Sequence, residues 1–313
     1  MELLQKKVFK DLFTIPPILQ PSHLPTLNGI RGIAILMVMM SHLRLSPDRF
    51  YYKIFNGDLG VNLFFVLSGF LITTLCIKEK IASNNLSLKK FYIRRALRIL
   101  PLAYLFLFVV EVLNLAFKLQ IPAFQFFGAA FFILNLSYFR SHDLKAPIGH
   151  YWSLATEEQF YLIFPPLFKI SFRAFCFSIL LIVFILPVFC LAQEHLPAIN
   201  KGAIYAFTHI LIKFQGIAVG CFFSIAMFRY EKIASSLGLY KVLLNSVVIV
   251  LIFFLPFNFF YTIDAVFINL IVSLLIGYLI ISNLKPTKDI YGNKFSQCIS
   301  LGQVHLIGLT PKF

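Results

Sequence analysis

Three groups of residues in this sequence have types and spacings that could do chemistry. Arg31 and His42 interrupt the apolar stretch LNGIRGIAILMVMMSHL. At about 100° and 1.5 Å per residue, two helical positions so spaced share one stripe, about 16 Å apart along the axis. A charge inside a membrane span costs about 2.5–3.5 kcal/mol, which makes such residues functional candidates. A neutral imidazole is suited to take a proton from a hydroxyl as general base. The bland alternative is a snorkelling arginine and an interfacial histidine. Arg95 and Arg98 in FYIRRALRILP stand one helical turn apart at the start of a helix, where guanidinium groups and the helix dipole can grip phosphates. Ordinary anchoring at a membrane boundary is the alternative there, and Arg94, Lys89 and Lys90 fit it. Glu157 and Glu158 lie in HYWSLATEEQFYLIFPP, in a chain with only 13 acids. Adjacent helical residues diverge by about 100°, so one of the two is expected to face a given site. They are either partners for an arginine or histidine, or loop acids capping the helix that follows.

The elements that must position these groups are membrane helices. The composition is 59% hydrophobic and 13% charged, with mean hydropathy +0.84, against roughly 25% charged residues in soluble chains. So much apolar surface must face lipid, and the expected fold is an all-α, polytopic transmembrane helical bundle. Nine spans are predicted: 27–43, 59–77, 95–117, 122–139, a shorter 160–168, 172–192, 203–228, 238–257 and 263–282. Residues 1–26 read as a cytoplasmic amphipathic lead-in, 27–283 as one transmembrane domain, and 284–313 as an atypical tail.

The formal net charge of +15 is dispersed in short tracts between apolar runs, the pattern that sets topology rather than one that binds nucleic acid. Lys78, Lys80, Lys89, Lys90, Arg94, Arg95 and Arg98 face a single acid, Glu79, between the second and third spans. That places this loop, and with it the amino terminus carrying Lys6, Lys7 and Lys10, in the cytoplasm. A basic face of this kind attracts anionic lipid and anionic cosubstrates. Counting spans onward puts Arg229, Lys232 and Lys241 outside, against the rule. The glycines of 57–73 permit close helix approach, Gly69 beside Ser68 offers a kink, and Asn62, a polar group inside the span, must find a partner. Five scattered cysteines, Cys76, Cys176, Cys190, Cys221 and Cys298, have no metal-ligand spacing, and packing is their expected role.

Four stretches in this order, LNGIRGIAILMVMMSH, GDLGVNLFFVLSGFLI, FYIRRALRILP and HYWSLATEEQFYLIFP, make the chain resemble the acyltransferase-3 family of bacterial membrane O-acyltransferases. The resemblance is strong over 27–166 and continues to 282 as matching hydropathy. In that family an arginine and a histidine mark the first span, and Arg31 and His42 match them. An RxxR pair matches Arg95 and Arg98, and a WSLxxEEQFY motif carries Glu157 and Glu158. The resemblance implies a multi-pass protein of the bacterial inner membrane that takes an acyl group, by default acetyl, from cytoplasmic acyl-CoA. The acceptor is a glycan or lipid-linked glycan, and no metal takes part. Under that reading Arg31, Arg95 and Arg98 meet the CoA phosphates. His42 acts as base or holds the acyl group briefly, and Glu157 or Glu158 orients the imidazole or steadies an arginine.

Two departures accompany the resemblance. Asn62 stands where the family has aspartate, and a last span with a SYSLYLWH-like motif, part of the family's usual ten, is not found in 284–313, so a truncated, inactive copy is one alternative. A transporter or flippase of lipid-linked glycans or anions is another, since buried charges and kink-prone glycines suit it too.

Overall fold

The computed structural model describes residues 13, 15–20, 25–43, 54–136, 146–195, 202–229, 240–255 and 263–284. Among them every regular element is a helix, as hydrocarbon demands of a chain that must satisfy its own backbone. Five helices are long and apolar enough to cross a membrane, and the protein is a multi-pass membrane protein. The chain forms two compact units, one of residues 1–81 and 215–313, the other of 82–214.

The first unit holds α1 (Pro25–Leu43), α2 (Gly57–Ser83), α10 (Gln215–Arg229), α11 (Tyr240–Phe254) and α12 (Ile263–Asn283). Its axis is the crossing of α2 on α10. A Cβ added at Gly69 would run into the Ile217 carbonyl, and one at Gly220 would run into the Val66 carbonyl. Only glycine lets two backbones come this close, and Gly216 and Gly220 form a GxxxG pair of the kind that joins membrane helices. The helix runs unbroken through Gly69, so this glycine serves approach and not a break. Hydroxyls reinforce the seam, with Thr74 Oγ1 2.9 Å from Ser224 Oγ.

These contacts set the direction of each helix. Gly216 lies against Asn62, Gly220 against Val66 and Phe70, and Ser224 against Thr74, so α10 runs parallel to α2. Ser273 bonds Asn62 and Gly277 abuts Phe223, so α12 runs the same way. Asn245, early in α11, bonds Ser282 and Asn283 at the end of α12, so α11 is antiparallel. Helix α1 is antiparallel to α2: Gly60 meets Ala34 and Val38, and Lys78 Nζ donates to the Leu19 carbonyl at 2.6 Å, just ahead of α1. Lys78, Lys80, Arg229 and Lys241 therefore share one end of this unit. The count of spans that put Arg229 and Lys241 opposite the basic loop is corrected.

The reason lies partly in the second unit, built from α3 (Leu88–Phe117), α4 (Ala123–Ala130), α5 (Ala146–Gly149), α6 (Tyr151–Ile170), α7 (Phe172–Leu180), a π turn (Leu181–Ile185), α8 (Leu186–His195) and α9 (Gly202–Ile212). The expected span 122–139 is an eight-residue helix followed by irregular chain, with Phe132 at φ 54°. The expected span 203–228 is broken at Lys213 and Phe214, and the expected short span 160–168 is part of the 20-residue α6. Among the described residues two of the nine expected spans are thus interrupted. Ala103, Leu107 and Val110 of α3 pack with Ala129, Leu134, Ile148 and Tyr151 to form the core of this unit. The tail expected over 284–313 lies, beyond Leu284, outside the described residues, as does the lead-in up to Leu12.

Candidate active site

His42 ends α1 and is exposed. Its Nδ1 lies 2.8 Å from the Val38 carbonyl one turn back. A carbonyl oxygen only accepts, so Nδ1 carries the ring proton and donates it, which leaves the lone pair on Nε2. Ser41 Oγ donates to the same carbonyl at 2.7 Å and stands 3.3 Å from Nδ1. In the neutral ring Nδ1 is thereby tied to its own helix, and Nε2 is the nitrogen without the proton. Arg31, half-buried, lies at the other end of α1, the end that the Lys78–Leu19 contact puts beside the basic residues of the first unit.

Arg95, Arg98, Glu157 and Glu158 belong to the second unit. Arg95 Nε donates to Glu158 Oε1 at 3.0 Å and Nη2 lies 2.9 Å from the same oxygen. Glu157 Oε2 is 3.6 Å from Nη2. The guanidinium also stacks on the Tyr161 ring, 3.4 Å from its centroid, where a planar cation gains from the π face. Side-chain exposures of 14–22% for the three charged groups make this a largely buried cluster. Two expectations change. The acids are not loop caps, because they sit on the seventh and eighth positions of α6. Both reach one site in spite of their 100° divergence, because a long planar guanidinium spans the gap. Arg98 is exposed and one turn away on α3, with no ion pair among the described residues.

Helix α6 carries Pro165 and Pro166 in its interior. Each lacks an N–H, which leaves the carbonyls four residues back, those of Tyr161 and Leu162, without helical donors. The Tyr92 hydroxyl of α3 lies 3.2 Å from the first and 3.1 Å from the second. One tyrosine thus meets both carbonyls freed by the proline pair, one turn from Arg95 on the same helix. We expect Tyr92→Phe to lower the thermal stability of the detergent-solubilised protein by about 0.5–1.5 kcal/mol, the net worth of a hydrogen bond to acceptors that are not fully buried. An unchanged melting temperature would show that the carbonyls find another donor.

A second polar group was not read from the sequence. Asn135 and Gln159 exchange carboxamide hydrogen bonds of 2.7 and 2.8 Å. Gln159 Nε2 also donates to the Phe132 carbonyl at 2.8 Å, and buried Lys213 donates to the Asn135 carbonyl. These are carbonyls exposed when the chain leaves its helix after Ala130, and non-helical backbone at membrane depth requires such partners. Gln159 adjoins Glu158, so the same network fixes the rotation of the helix that carries the acids. The available signal was a lysine inside an apolar run, itself a functional flag.

The chain is 37% identical over 153 residues to "Peptidoglycan O-acetyltransferase OatA" of Listeria monocytogenes, a stretch covering 46% of this chain and 24% of that protein. It is 34% identical over 167 residues to "O-acetyltransferase OatA" of Staphylococcus aureus, covering 50% of this chain and 26% of that protein. It thus spans about a quarter of the length of these curated relatives. No solved structure matches it. The acyltransferase-3 family, described as an acyltransferase domain, matches residues 24–297, the region that holds His42 with its committed ring and the Arg95 cluster, and the chain belongs to that family.

Proposed function

We propose that this chain transfers an acyl group, by default acetyl, from cytoplasmic acyl-CoA to a hydroxyl of a cell-envelope glycan. The observation that carries the reading is His42, with Nδ1 held by the Val38 carbonyl and Nε2 free at an exposed helix end. In the reaction Nε2 takes the acceptor O–H proton, and the oxygen attacks the thioester carbonyl. The C–S bond breaks and the CoA thiolate leaves with the proton from the imidazolium. The same nitrogen could instead accept the acyl group and pass it on.

The roles of the arginines follow from their surroundings. Arg31, on the His42 stripe of the first unit, is the residue for the donor phosphates there, and exposed Arg98 is the candidate for an anion in the second unit. Arg95 commits Nε and Nη2 to the two acids, which leaves Nη1 for an anion, so its main task is to brace α6. The basic end of the first unit faces the cytoplasm by the positive-inside rule, which gives a cytoplasmic amino terminus and puts His42 toward the opposite face. About 16 Å between Arg31 and His42 along α1 matches a donor with phosphates at one end and a thioester at the end of a long arm. The relatives' printed names support acetyl as the group and peptidoglycan as the glycan, here as part of the proposal.

Arg98→Ala is expected to raise the KM for acetyl-CoA about tenfold while leaving stability unchanged, one charge-assisted contact being lost. Arg95→Lys is expected instead to destabilise the fold, because an ammonium cannot bridge two carboxylates and stack on Tyr161 together. Steady-state kinetics and melting curves on the two variants check the division. Equal KM effects with no stability loss for Arg95→Lys would return Arg95 to a purely donor-binding role.

A further inference from the structure

Where the amino-terminal parts of α2 and α10 meet the middle of α12 lies a group of neutral polar side chains that the transfer chemistry above does not use. Asn62 Nδ2 donates to Ser273 Oγ at 2.9 Å, and Ser273 Oγ donates back to Asn62 Oδ1 at 3.1 Å. Asn62 also lies against Gly216, next to Gln215. Asn269 is one turn before Ser273 on the same face of α12. Gln215 is 3% exposed, and its Nε2 has no hydrogen-bond partner; Asn269 Oδ1 is likewise out of solvent and unpartnered. One is a donor and the other an acceptor. Among the described residues the second unit holds no such unpartnered atom, although it buries Asn135, Thr156, Gln193, Thr208 and Lys213. A buried polar atom without a partner is costly in a membrane domain; Thr73 and Tyr278 of this unit carry one each as well, but Gln215 and Asn269 are a donor and an acceptor on helices that the Gly216–Asn62 and Asn62–Ser273 contacts bring together.

We propose that Gln215 and Asn269, backed by the Asn62–Ser273 pair, form a neutral polar subsite in the His42 half of the first unit. Gly57, five residues ahead of Asn62 on α2, abuts Ser41 beside His42, so the subsite is set in from His42 on neighbouring helices. Its ligand is an uncharged group that both donates and accepts a hydrogen bond. No charged side chain takes part in the described contacts of Asn62, Ser273, Gln215 and Asn269, which disfavours an anion. Under the proposed function, on which this inference rests, two sources have that chemistry: the hydroxyls and acetamido groups of an acceptor sugar, and the amides of the donor's pantetheine arm.

Two neutral probes separate them: chitobiose and pantetheine, titrated by saturation-transfer NMR against the full chain in lipid nanodiscs. The variants are Gln215→Met and Asn269→Leu, which keep side-chain size and remove the open donor or acceptor. One of the probes is expected to bind, and each variant to raise its Kd about tenfold, the size of one lost hydrogen bond. Melting temperatures should stay level or rise, because an atom with no partner in the empty fold is being removed. Weakened chitobiose binding assigns the subsite to the acceptor, and weakened pantetheine binding assigns it to the donor arm. Binding of neither probe by the unmutated chain, or equal binding by all three proteins, overturns the inference, and so does a fall in melting temperature without a change in Kd. Acyl transfer is measured on the same nanodiscs. Binding without transfer would reject the proposed function and leave the subsite standing; transfer without binding would do the reverse.

Discussion

His42→Ala is expected to cut acyl transfer by about 10²–10⁴-fold, the usual contribution of a positioned general acid–base group, and to leave insertion into the membrane unchanged. The side chain is exposed at the last turn of α1 and buries no apolar surface that the fold depends on. Among the described residues its ties are the Nδ1 bond to the Val38 carbonyl and the 3.3 Å approach of Ser41 Oγ to the same nitrogen. His42→Asn separates the Val38 tie from the chemistry, because its amide N–H can reach the same carbonyl while offering no nitrogen lone pair. Both variants should therefore be inactive and both should be folded, as judged by membrane yield and protease resistance against the unmutated chain. An active His42→Asn protein would take the base away from His42.

The second large effect is structural. Gly69→Val and Gly220→Val each place a Cβ into a backbone carbonyl, of Ile217 and of Val66 respectively. Such atoms cannot rotate aside as a side-chain tip would, so one helix must move off the other. Overpacking costs about 1–3 kcal/mol when side chains can adjust, and more where they cannot. Loss of the close approach also removes the Thr74–Ser224 contact. Both variants should lose most of the folded, monodisperse protein in size-exclusion chromatography from mild detergent. Gly29→Ala, with nothing within 4 Å of its added Cβ, should behave as the unmutated chain. Normal elution of Gly220→Val would mean that α2 and α10 pack differently.

The residues expected to act were legible because polar groups in an apolar sequence stand out: Arg31, His42, Arg95, Arg98, Glu157 and Glu158 all did so. Their partners were harder to read. That Arg95 takes both acids depends on the register between α3 and α6, elements whose pairing no local pattern reports. The proline pair does foretell two orphaned carbonyls on α6, but not that Tyr92 answers them. Residues 122–139 read as a span because their hydropathy is continuous. The break after Ala130 depends on Gln159 and Lys213, 27 and 78 positions along the chain from the carbonyls they hold. Lys213 itself was passed over inside a stretch that reads as one helix, and the topology count inherited both errors. The GxxxG of Gly216 and Gly220 was in plain view, whereas the seam it makes with Gly69 needed the fold.

Acyl transfer from acyl-CoA to a glycan is the activity on which the roles proposed for His42 and Arg98 depend. Its most direct test is the chain in membrane vesicles, given radiolabelled acetyl-CoA and peptidoglycan glycan strands, with His42→Ala alongside and a full-length relative as positive control. Label is expected in the glycan with the unmutated chain and none above background with His42→Ala. A fully inserted chain that leaves the glycan unlabelled while the relative labels it, or equal labelling by the two forms of the chain, would contradict it.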